Sequence, residues 1–290
     1  MAKPVLKWAG GKASILHEIE KRLAKIDTSN ATLFDIFVGG ASVSLKFENK
    51  FNHVVINDKN KELKCVYDVI KSDSEALIKQ LKEHSNRHSH DYYYDVRRQD
   101  RLDGYKDKDD VFKAARTIYL NKTCYNGLFR VNRSGYFNVP MGRQKTLNIY
   151  DEENIRELSE IFNKFDICNS DFYLVLKLCK AGDVVYIDPP YDKINASSFV
   201  QYNAIAFDEF DQKRLVDAID ELTKRGVYVI ASNSYTKNTS ELYKDYMNED
   251  SIIMVKRSIA SNNLSRVPVK EILVDNIDKV NKNVNKTSKK

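Results

Sequence analysis

The chain of 290 residues lacks the features that mark several classes of protein. Its four cysteines lie far apart and form no CxxC pair, which argues against a structural zinc site and favours reduced thiols. No run approaches the roughly 20 apolar residues needed to cross a bilayer. The first residues contain no apolar segment like that of a secretory signal. These absences predict a cytoplasmic protein with no membrane partner.

The chain has a moderate excess of positive charge. It contains 47 lysine and arginine residues against 41 acidic ones, for a formal net charge of +6. Part of the excess lies in residues 278–290, where apolar residues are too few to fold, so a disordered tail is expected. A second basic cluster lies at residues 116–145. This balance weakly favours a polyanionic partner such as nucleic acid.

Apolar strands alternate with helices along most of the chain. The strand ATLFDIF, a glycine turn, a helix from Ser42 and the strand HVVIND form a βαβ unit, which implies a parallel sheet. The last two strands, in SIIMVKRSIA and PVKEILVDNI, are expected to form an antiparallel pair. The sequence therefore predicts an α/β fold with a doubly wound, Rossmann-like sheet. We expect the catalytic domain to comprise residues 1–83 and 151–277.

Residues 84–150 interrupt this alternation, and their pattern predicts an inserted, mostly helical region. HSNRHSHDYYYDVRRQDRLD and DDVFKAARTIYLNK have helical character, and a hairpin is expected to turn at residues 133–135. The histidines His84, His88 and His90 stand in a polar setting without cysteine, which favours a solvated helix end over a metal site. The tyrosines at 92–94 are interpreted as packing residues.

Two features predict a cofactor that contains a nucleoside. Gly39 and Gly40 follow a buried strand, where the absence of a Cβ lets the backbone approach a ligand. Asp58 ends the next strand, where a carboxylate can accept hydrogen bonds from ribose hydroxyls. A tight turn beside a surface acid would explain this pair about equally well. The run does not match GxGxxG, which disfavours a nicotinamide cofactor.

The stretch VVYIDPPY at residues 184–191 points to a substrate amine. A buried strand delivers Asp188 to its carboxyl end, where open α/β sheets bind ligands. Because Pro189 and Pro190 have no N–H, the turn offers mainly acceptors, which suit the two N–H groups of an exocyclic amine on a base. Tyr191 supplies a flat face for stacking. The simpler alternative is a stiff turn with a buried tyrosine.

Three motifs together resemble the Dam family of DNA adenine N6-methyltransferases, which use S-adenosylmethionine. They are KWAGGK at 7–12, FVGG at 37–40 and DPPY at 188–191, and the resemblance covers about residues 3–275. Several families of amino-methyltransferase share DPPY, but its combination with KWAGGK is highly specific. KWAGGK is not a P-loop, because GxxxxGK[ST] would need glycine at Leu6 and serine or threonine at Ala13.

The resemblance implies which residues hold the cofactor and perform the chemistry. The indole of Trp8 would pack on S-adenosylmethionine, and Lys12 would meet its carboxylate. Asp58 would bind the ribose, while Phe172 stacks on the adenine and Asp171 accepts a hydrogen bond from it. The implied catalytic residues are Asp188, Pro189, Pro190 and Tyr191; the implied cofactor-binding residues are Trp8, Lys12, Phe37, Gly39, Gly40, Asp58, Asp171, Phe172 and Asp188.

YNGLFR and FNVPMGR, within the insertion, resemble the recognition hairpin of family members specific for GATC. By this resemblance Arg130 reads a guanine, and Leu128 and Pro140 touch a thymine methyl, roles that agree with major-groove chemistry. Lys7 is expected at the first guanine, and Tyr125 is expected to wedge into the base stack. The implied DNA-binding residues are Lys7, Tyr125, Asn126, Leu128, Arg130, Pro140 and Arg143.

The sequence thus predicts a monomeric, adenine-specific DNA methyltransferase that flips adenine out of double-stranded DNA and needs no metal. An amino-methyltransferase acting on another nucleic acid, or on a different DNA sequence, remains the alternative. A catalytically silent DNA-binding protein is disfavoured because Asp188 and Lys12 are both present. The sequence leaves open whether the enzyme belongs to a restriction-modification system with a cognate endonuclease.

Overall fold

The computed structural model describes residues 2–8, 10–143, 148–190, 207–255 and 268–287. Tyr191 and the segment that follows it lie outside this described part. The described residues include seven strands: β1 Thr32–Asp35, β2 His53–Asn57, β3 Phe165–Cys168, β4 Val184–Ile187, β5 Tyr228–Ser234, β6 Ile252–Val255 and β7 Val269–Asp275.

The seven strands form one sheet in the order β3-β2-β1-β4-β5-β7-β6. The first five strands of this order pair in parallel, and β7 pairs antiparallel with both β5 and β6. The sheet begins with β1 and is extended on one side by β2 and β3, after which the chain returns to the other side of β1 with β4. The carboxyl ends of β1 and β4 therefore border a topological switch point, where sheets of this kind bind ligands.

Apolar layers cover both faces of the sheet. Along β4, Val184 and Tyr186 join the core on one face, while Val185 and Ile187 join the core on the other. This alternation with a period of two is what a strand buried on both sides requires. The doubly wound α/β architecture predicted from the sequence is confirmed.

Eleven α-helices are found in the described part of the chain. Helices α3, α4, α6 and α7 pack against one another beside β3, and α9 packs on β5. Their bounds are α1 Leu16–Leu23, α2 Ser42–Phe47, α3 Lys61–Ser72, α4 Ser74–Arg87, α5 His90–Arg98, α6 Asp110–Thr123, α7 Glu152–Phe162, α8 Phe172–Leu176, α9 Glu209–Lys224, α10 Lys237–Leu242 and α11 Ile277–Thr287. None of the helices described is long and apolar enough to span a membrane.

The helical character expected after residue 84 is present but is divided between two helices. The α4 helix ends at Arg87, and His88 leaves the helical conformation. The Ser89 side chain then accepts the backbone N–H of Tyr92 and begins α5. A serine favours such an N-cap because its oxygen satisfies a backbone donor that no helical carbonyl reaches.

The predicted hairpin is present in the insertion. Val131 and Phe137 form an antiparallel bridge on either side of the turn at residues 133–135. The backbone N–H of Phe137 donates to the Asp100 carboxylate at 2.8 Å, and Arg116 on α6 pairs with the same carboxylate at 2.9 Å. The hairpin is therefore tied to the helices through a charged group that is itself paired. Arg116, part of the basic cluster at 116–145, is buried here and does not face a partner.

The expectation of a disordered tail at residues 278–290 is wrong for its first part. Helix α11 continues through these residues, and Ile277 and Val280 are buried against the rest of the protein. Tyr228 also donates a hydrogen bond from its hydroxyl to Asn281 at 2.9 Å. One valine placed a helical turn after an isoleucine was enough to dock the segment, although its composition is strongly polar.

Candidate active site

The N-terminal segment LKWAGGK lies across the glycine turn that follows β1. Gly39 has a φ of +47°, and a Cβ built on it would lie 2.7 Å from Cδ1 of Trp8. A Cβ on Gly40 would lie 3.2 Å from Cβ of Trp8. The Trp8 ring also packs against Phe129 of the insertion, with 5.3 Å between ring centroids. The two glycines are therefore needed because the tryptophan packs directly on this turn.

A Gly39→Ala variant is expected to displace the indole of Trp8 from the turn. Trp8 is the single tryptophan of the chain, so tryptophan fluorescence reports the surroundings of this one ring. We expect a shift of emission to longer wavelength and a loss of about 1–3 kcal/mol in the free energy of unfolding, because the new methyl overpacks the site.

Gly182→Ala is the matched control for this variant. Gly182 also has a positive φ, +89°, but a Cβ on it would meet no atom within 4 Å. It therefore carries the backbone strain without the contact to the ring. Equal stability losses in the two variants, with unchanged emission in both, would contradict the packing role of Trp8.

Asp58 follows β2 and lies beside the same glycine turn. Its carboxylate accepts the backbone N–H of Gly39 at 3.2 Å and that of Asn60 at 2.9 Å. Burial raises the pKa of Asp58 to about 6, and these two N–H groups partly oppose the rise. The structure thus brings the acid predicted for the ribose to the turn predicted for the cofactor.

An aromatic cluster joins Phe37, which follows β1, to Phe172 at the start of α8 and Phe207 before α9. The rings of Phe37 and Phe172 are 5.6 Å apart, and Phe207 contacts both. Asp171 caps α8 and pairs with Arg214 at 3.0 Å, while the Arg214 guanidinium lies over the Phe172 ring at 4.9 Å. The sequence gave no signal for Arg214, since it lies in the interior of an ordinary amphipathic helix.

Asp188, which follows β4, forms an ion pair that joins two of the predicted motifs. The Lys12 ammonium lies 2.9 Å from Oδ1 of Asp188 and donates to the carbonyl of Gly10 at 3.0 Å. The Ser232 hydroxyl donates to the same Oδ1 at 3.0 Å. Burial raises the pKa of Asp188, and Lys12 opposes the rise. Both contacts fall on one carboxylate oxygen, so the carboxylate has a fixed orientation.

The prolines after Asp188 continue the turn as predicted. Pro189 is buried, and the carbonyl of Pro190 accepts a hydrogen bond from the Gln212 side chain at 3.4 Å. The sequence assigns the Pro189 carbonyl and the Asp188 carboxylate, which precede the Pro190 carbonyl, as the acceptors for the amine. Tyr191, assigned to stacking, lies outside the described residues.

Three further polar residues near Asp188 were not predicted from the sequence to belong to the site. Burial raises the pKa of Asp35 to about 7, and the nearby charges of Asp188 and Asp58 add to the rise. Glu271 on β7 is buried near Lys12, and Ser232 on β5 contacts Asp188. The available signal was an acid or serine at a strand position where alternation calls for an apolar side chain.

Lys7 and the recognition turn are held together by one amide. The Asn121 side chain accepts the backbone N–H of Lys7 at 2.8 Å and donates to the carbonyls of Lys7 and Gly127 at 2.8 and 3.1 Å. The neighbouring Asn126 adopts a left-handed conformation with a φ of 55°. The N-terminal motif therefore reaches the DNA-binding residues predicted in the insertion as well as the cofactor motifs.

The hairpin presents the remaining residues assigned to DNA. Arg130 donates from Nε to Oδ1 of Asn138 at 2.7 Å and from Nη2 to its carbonyl at 3.1 Å, which fixes the plane of the guanidinium. The backbone N–H of Tyr125 donates to the carbonyl of Pro140 at 2.9 Å. Leu128 is half-buried, and Pro140 and Arg143 are exposed.

The histidines and tyrosines of the insertion pack together. His84 and His88 form hydrogen bonds of 2.8 Å with the hydroxyls of Tyr92 and Tyr119, respectively. Tyr93 is fully buried, and its hydroxyl donates to a backbone carbonyl of the hairpin. Within the described residues, no group of histidine, cysteine, aspartate and glutamate could hold a metal ion.

A doubly wound sheet with a glycine turn after β1, an acid after β2 and an Asp-Pro-Pro turn after β4 defines a Rossmann-like methyltransferase. The chain belongs to the D12 class of N6 adenine-specific DNA methyltransferases, because the model of that family matches residues 8–260. It is therefore an enzyme that methylates adenine in DNA with a methyl donor.

Alignments with named relatives cover most of this chain and most of each relative. The chain is 40% identical to the type II methyltransferase M.MjaIII of Methanocaldococcus jannaschii. The alignment covers 80% of this chain and 84% of the relative. The chain is 38% identical to the type II methyltransferase M1.LlaDCHI of Lactococcus lactis, covering 94% and 95%. It is 32% identical to the DNA adenine methylase of Escherichia coli (strain K12), covering 92% and 93%.

Proposed function

We propose that this enzyme uses S-adenosylmethionine to methylate N6 of an adenine flipped out of duplex DNA, in the sequence GATC. The observation that supports the proposal best is the pair formed by Lys12 and Asp188, which joins the N-terminal motif to the Asp-Pro-Pro turn. It places a cation for a cofactor carboxylate next to an acceptor for a target amine. Flipping is needed because the amine of a stacked, paired adenine is not accessible to a buried carboxylate.

The described residues fit S-adenosylmethionine. The turn at Gly39 and Gly40 carries the ring of Trp8, which would pack on the cofactor, and Asp58 can accept hydrogen bonds from ribose hydroxyls. By the resemblance, Phe172 would stack on the adenine ring, and Asp171 would accept a hydrogen bond from its amino group. When bound, the cofactor supplies an electrophilic methyl group.

The chain's own contribution to the reaction is to orient the target amine. Asp188 and the carbonyl of Pro189 would each accept one N–H of the adenine amino group, so that the nitrogen lone pair points away from both. Tyr191 would stack on the flipped base. This nitrogen would take the methyl group from the cofactor, the electrons of the broken sulfur–carbon bond would remain on the sulfur, and the amine would lose one proton, so no covalent bond to the enzyme would be needed. This agrees with an acceptor-rich turn and a carboxylate held by Ser232 and Lys12.

The hairpin supports the proposed readout of GATC. Arg130 would bond to O6 and N7 of a guanine, and Leu128 and Pro140 would contact a thymine methyl. Lys7 would reach the first guanine, where Asn121 fixes its backbone. Tyr125 would enter the base stack; Asn126 beside it and Arg143 at the end of the hairpin complete the proposed DNA surface.

We further propose that residues 1–83 and 151–277 form the catalytic domain, that residues 84–150 form the target-recognition region, and that the enzyme acts as a monomer in the cytoplasm. The names of two relatives, both type II methyltransferases, support a role in a restriction-modification system. A cognate endonuclease would then be its functional partner.

Digestion of plasmid DNA tests the proposed sequence. Plasmid from a methylation-deficient host is incubated with the enzyme and S-adenosylmethionine, then cut with one endonuclease specific for methylated GATC and one specific for unmethylated GATC. We expect the first to cut and the second to be blocked. If labelled methyl enters adenine but the digestion at GATC does not change, the enzyme methylates adenine in a sequence other than GATC.

Asp58→Asn is expected to weaken binding of S-adenosylmethionine by about 1–3 kcal/mol, because a charged acceptor is lost. The quenching of Trp8 fluorescence during titration measures the affinity. Wild-type affinity should also fall as the pH drops below about 6, where the raised pKa of Asp58 lets its carboxyl become protonated. The variant should lack this part of the pH dependence.

The exposed Asp27 provides the matched control, Asp27→Asn, which is expected to bind like the wild type. If Asp58→Asn binds S-adenosylmethionine as tightly as this control at pH 7.5, Asp58 does not contact the ribose.

A further inference from the structure

Glu271 is a buried acid in the interior of the sheet. It lies on β7 opposite Ser234 of β5 and Ile253 of β6, and only 3% of its surface is exposed. Leu273, two positions further along the strand, points to the same face and belongs to its apolar core. Strand alternation would therefore place an apolar side chain at position 271, so the glutamate is not there for packing.

A carboxylate in this position is costly to desolvate unless a cation lies close to it. The Lys12 ammonium lies 3.9 Å from Oε2 of Glu271, beyond hydrogen-bond distance. No hydrogen-bond donor reaches Oε2 from the described residues. Glu271 therefore acts on Lys12 through its charge at short range in a buried setting, where such interactions are strong.

Lys12 thus lies between two acids. Its ammonium is 2.9 Å from Asp188 and 3.9 Å from Glu271, and all three side chains are largely withdrawn from solvent. A lysine that paired with Asp188 alone would place its whole charge against the carboxylate that must accept hydrogens from the target amine. With Glu271 close by, the Lys12 ammonium interacts with two carboxylates, so its attraction to Asp188 is weaker.

We infer that Glu271 is a positioning residue for methyl transfer, which shares Lys12 with Asp188 and so preserves Asp188 as an acceptor for the target amine. The inference rests on the proposed role of Asp188. It assigns a role in the reaction to a strand, β7, outside the DPPY and glycine motifs. Glu271 does not touch the substrate in this arrangement; it acts through Lys12.

Glu271→Gln tests the inference with a side chain of the same shape. We expect kcat to fall about tenfold, the energetic equivalent of one pKa unit, with the KM for DNA unchanged. We also expect the acid limb of the kcat profile to move to lower pH. The charge of Glu271 contributes to the raised pKa of Asp188, so its removal lowers that pKa.

The direction of the pH shift separates positioning from a general structural defect. Within the described residues, the charged and titratable groups that act on Asp188 include Lys12, Asp35 of β1, Tyr186 of β4, Glu271 of β7 and Tyr243 after α10. Only Glu271 is changed, and the exposed Glu153→Gln is the matched control. An unchanged kcat, or a limb that stays in place or moves to higher pH, would overturn the inference.

Thermal unfolding of the free enzyme tests the same contact without DNA or cofactor. Lys12→Met should lower Tm more in the wild-type background than in Glu271→Gln, because it leaves two buried acids unpaired in the first and one in the second. Equal Tm losses would show that the two side chains do not interact. Because this measurement involves no reaction, it can contradict the contact between Lys12 and Glu271 without contradicting the proposed function.

If Glu271→Gln does not fold, Glu271→Asp replaces it. The shorter side chain keeps the charge but withdraws it from Lys12, so a smaller decrease in kcat and a smaller shift of the acid limb to lower pH are expected. Wild-type kinetics for Glu271→Asp would overturn the inference. Wild-type enzyme run in the same assay shows whether adenine methylation itself occurs.

Discussion

Asp188→Ala is expected to lower the rate of adenine methylation by roughly two to four orders of magnitude. The carboxylate is held in a single orientation by Lys12 and Ser232, both of which contact Oδ1. Alanine removes the acceptor that orients the target amine, and it also leaves the Lys12 ammonium without its nearest anion. Affinity for S-adenosylmethionine should therefore decrease as well, although by less than the rate.

The measurement is a single-turnover rate of methyl transfer to duplex DNA with saturating enzyme, which separates the chemical step from product release. Asp245→Ala, at an exposed position distant in sequence from the motifs, is the matched control. Thermal unfolding of each variant shows that the protein is folded. A rate within threefold of wild type would contradict the proposed role of Asp188 in orienting the amine.

The pH dependence of the wild-type rate follows from the same residue. The ionised carboxylate is the form that accepts hydrogen bonds, so activity should fall as the pH decreases through the pKa of Asp188. Burial raises that pKa, which places the acid limb above the ordinary range of an aspartate. Lys12 opposes the rise, and Lys12→Met should consequently move the limb further to higher pH.

Much of the candidate site could be predicted because its residues follow strands. Asp58 and Asp188 directly follow β2 and β4, and the carboxyl ends of parallel strands meet at one edge of a sheet. The glycine turn was also recognisable, since two consecutive glycines after a buried strand mark a close approach. The close approach proved to be that of the Trp8 ring.

What the sequence did not show depends on contacts between distant segments. The pairing of Lys12 with Asp188 joins the N-terminal motif to β4, and no local periodicity reports it. Glu271 and Ser232 were overlooked because a single polar residue in an apolar strand resembles a tolerated exception. Helix α11 is not predicted because the segment is strongly polar in composition. Its docking depends on a single apolar residue, the buried Val280.

Arg130→Ala is expected to relax discrimination at one base pair of the recognition sequence and to cost about 1–3 kcal/mol on the cognate site. Asn138 holds the Arg130 guanidinium at Nε and Nη2, so the side chain is oriented before DNA arrives. A fixed guanidinium matches the two acceptors on the major-groove edge of guanine better than a freely rotating one, which would bind any phosphate.

Arg133→Ala is the matched control for this variant, because Arg133 has the same charge and lies exposed in the turn of the same hairpin. If Arg133 touches only phosphate, its loss should weaken methylation of every sequence alike and reduce the dependence on salt. Arg130→Ala should instead lose most activity on GATC and little on the variant changed at the base it reads. The test compares kcat/KM on GATC and on its single-base variants for both mutants. A loss of kcat/KM in Arg130→Ala that is equal on all substrates would show that Arg130 contacts the phosphate backbone. Removing a side chain that reads a base must lower kcat/KM more on one sequence than on the others.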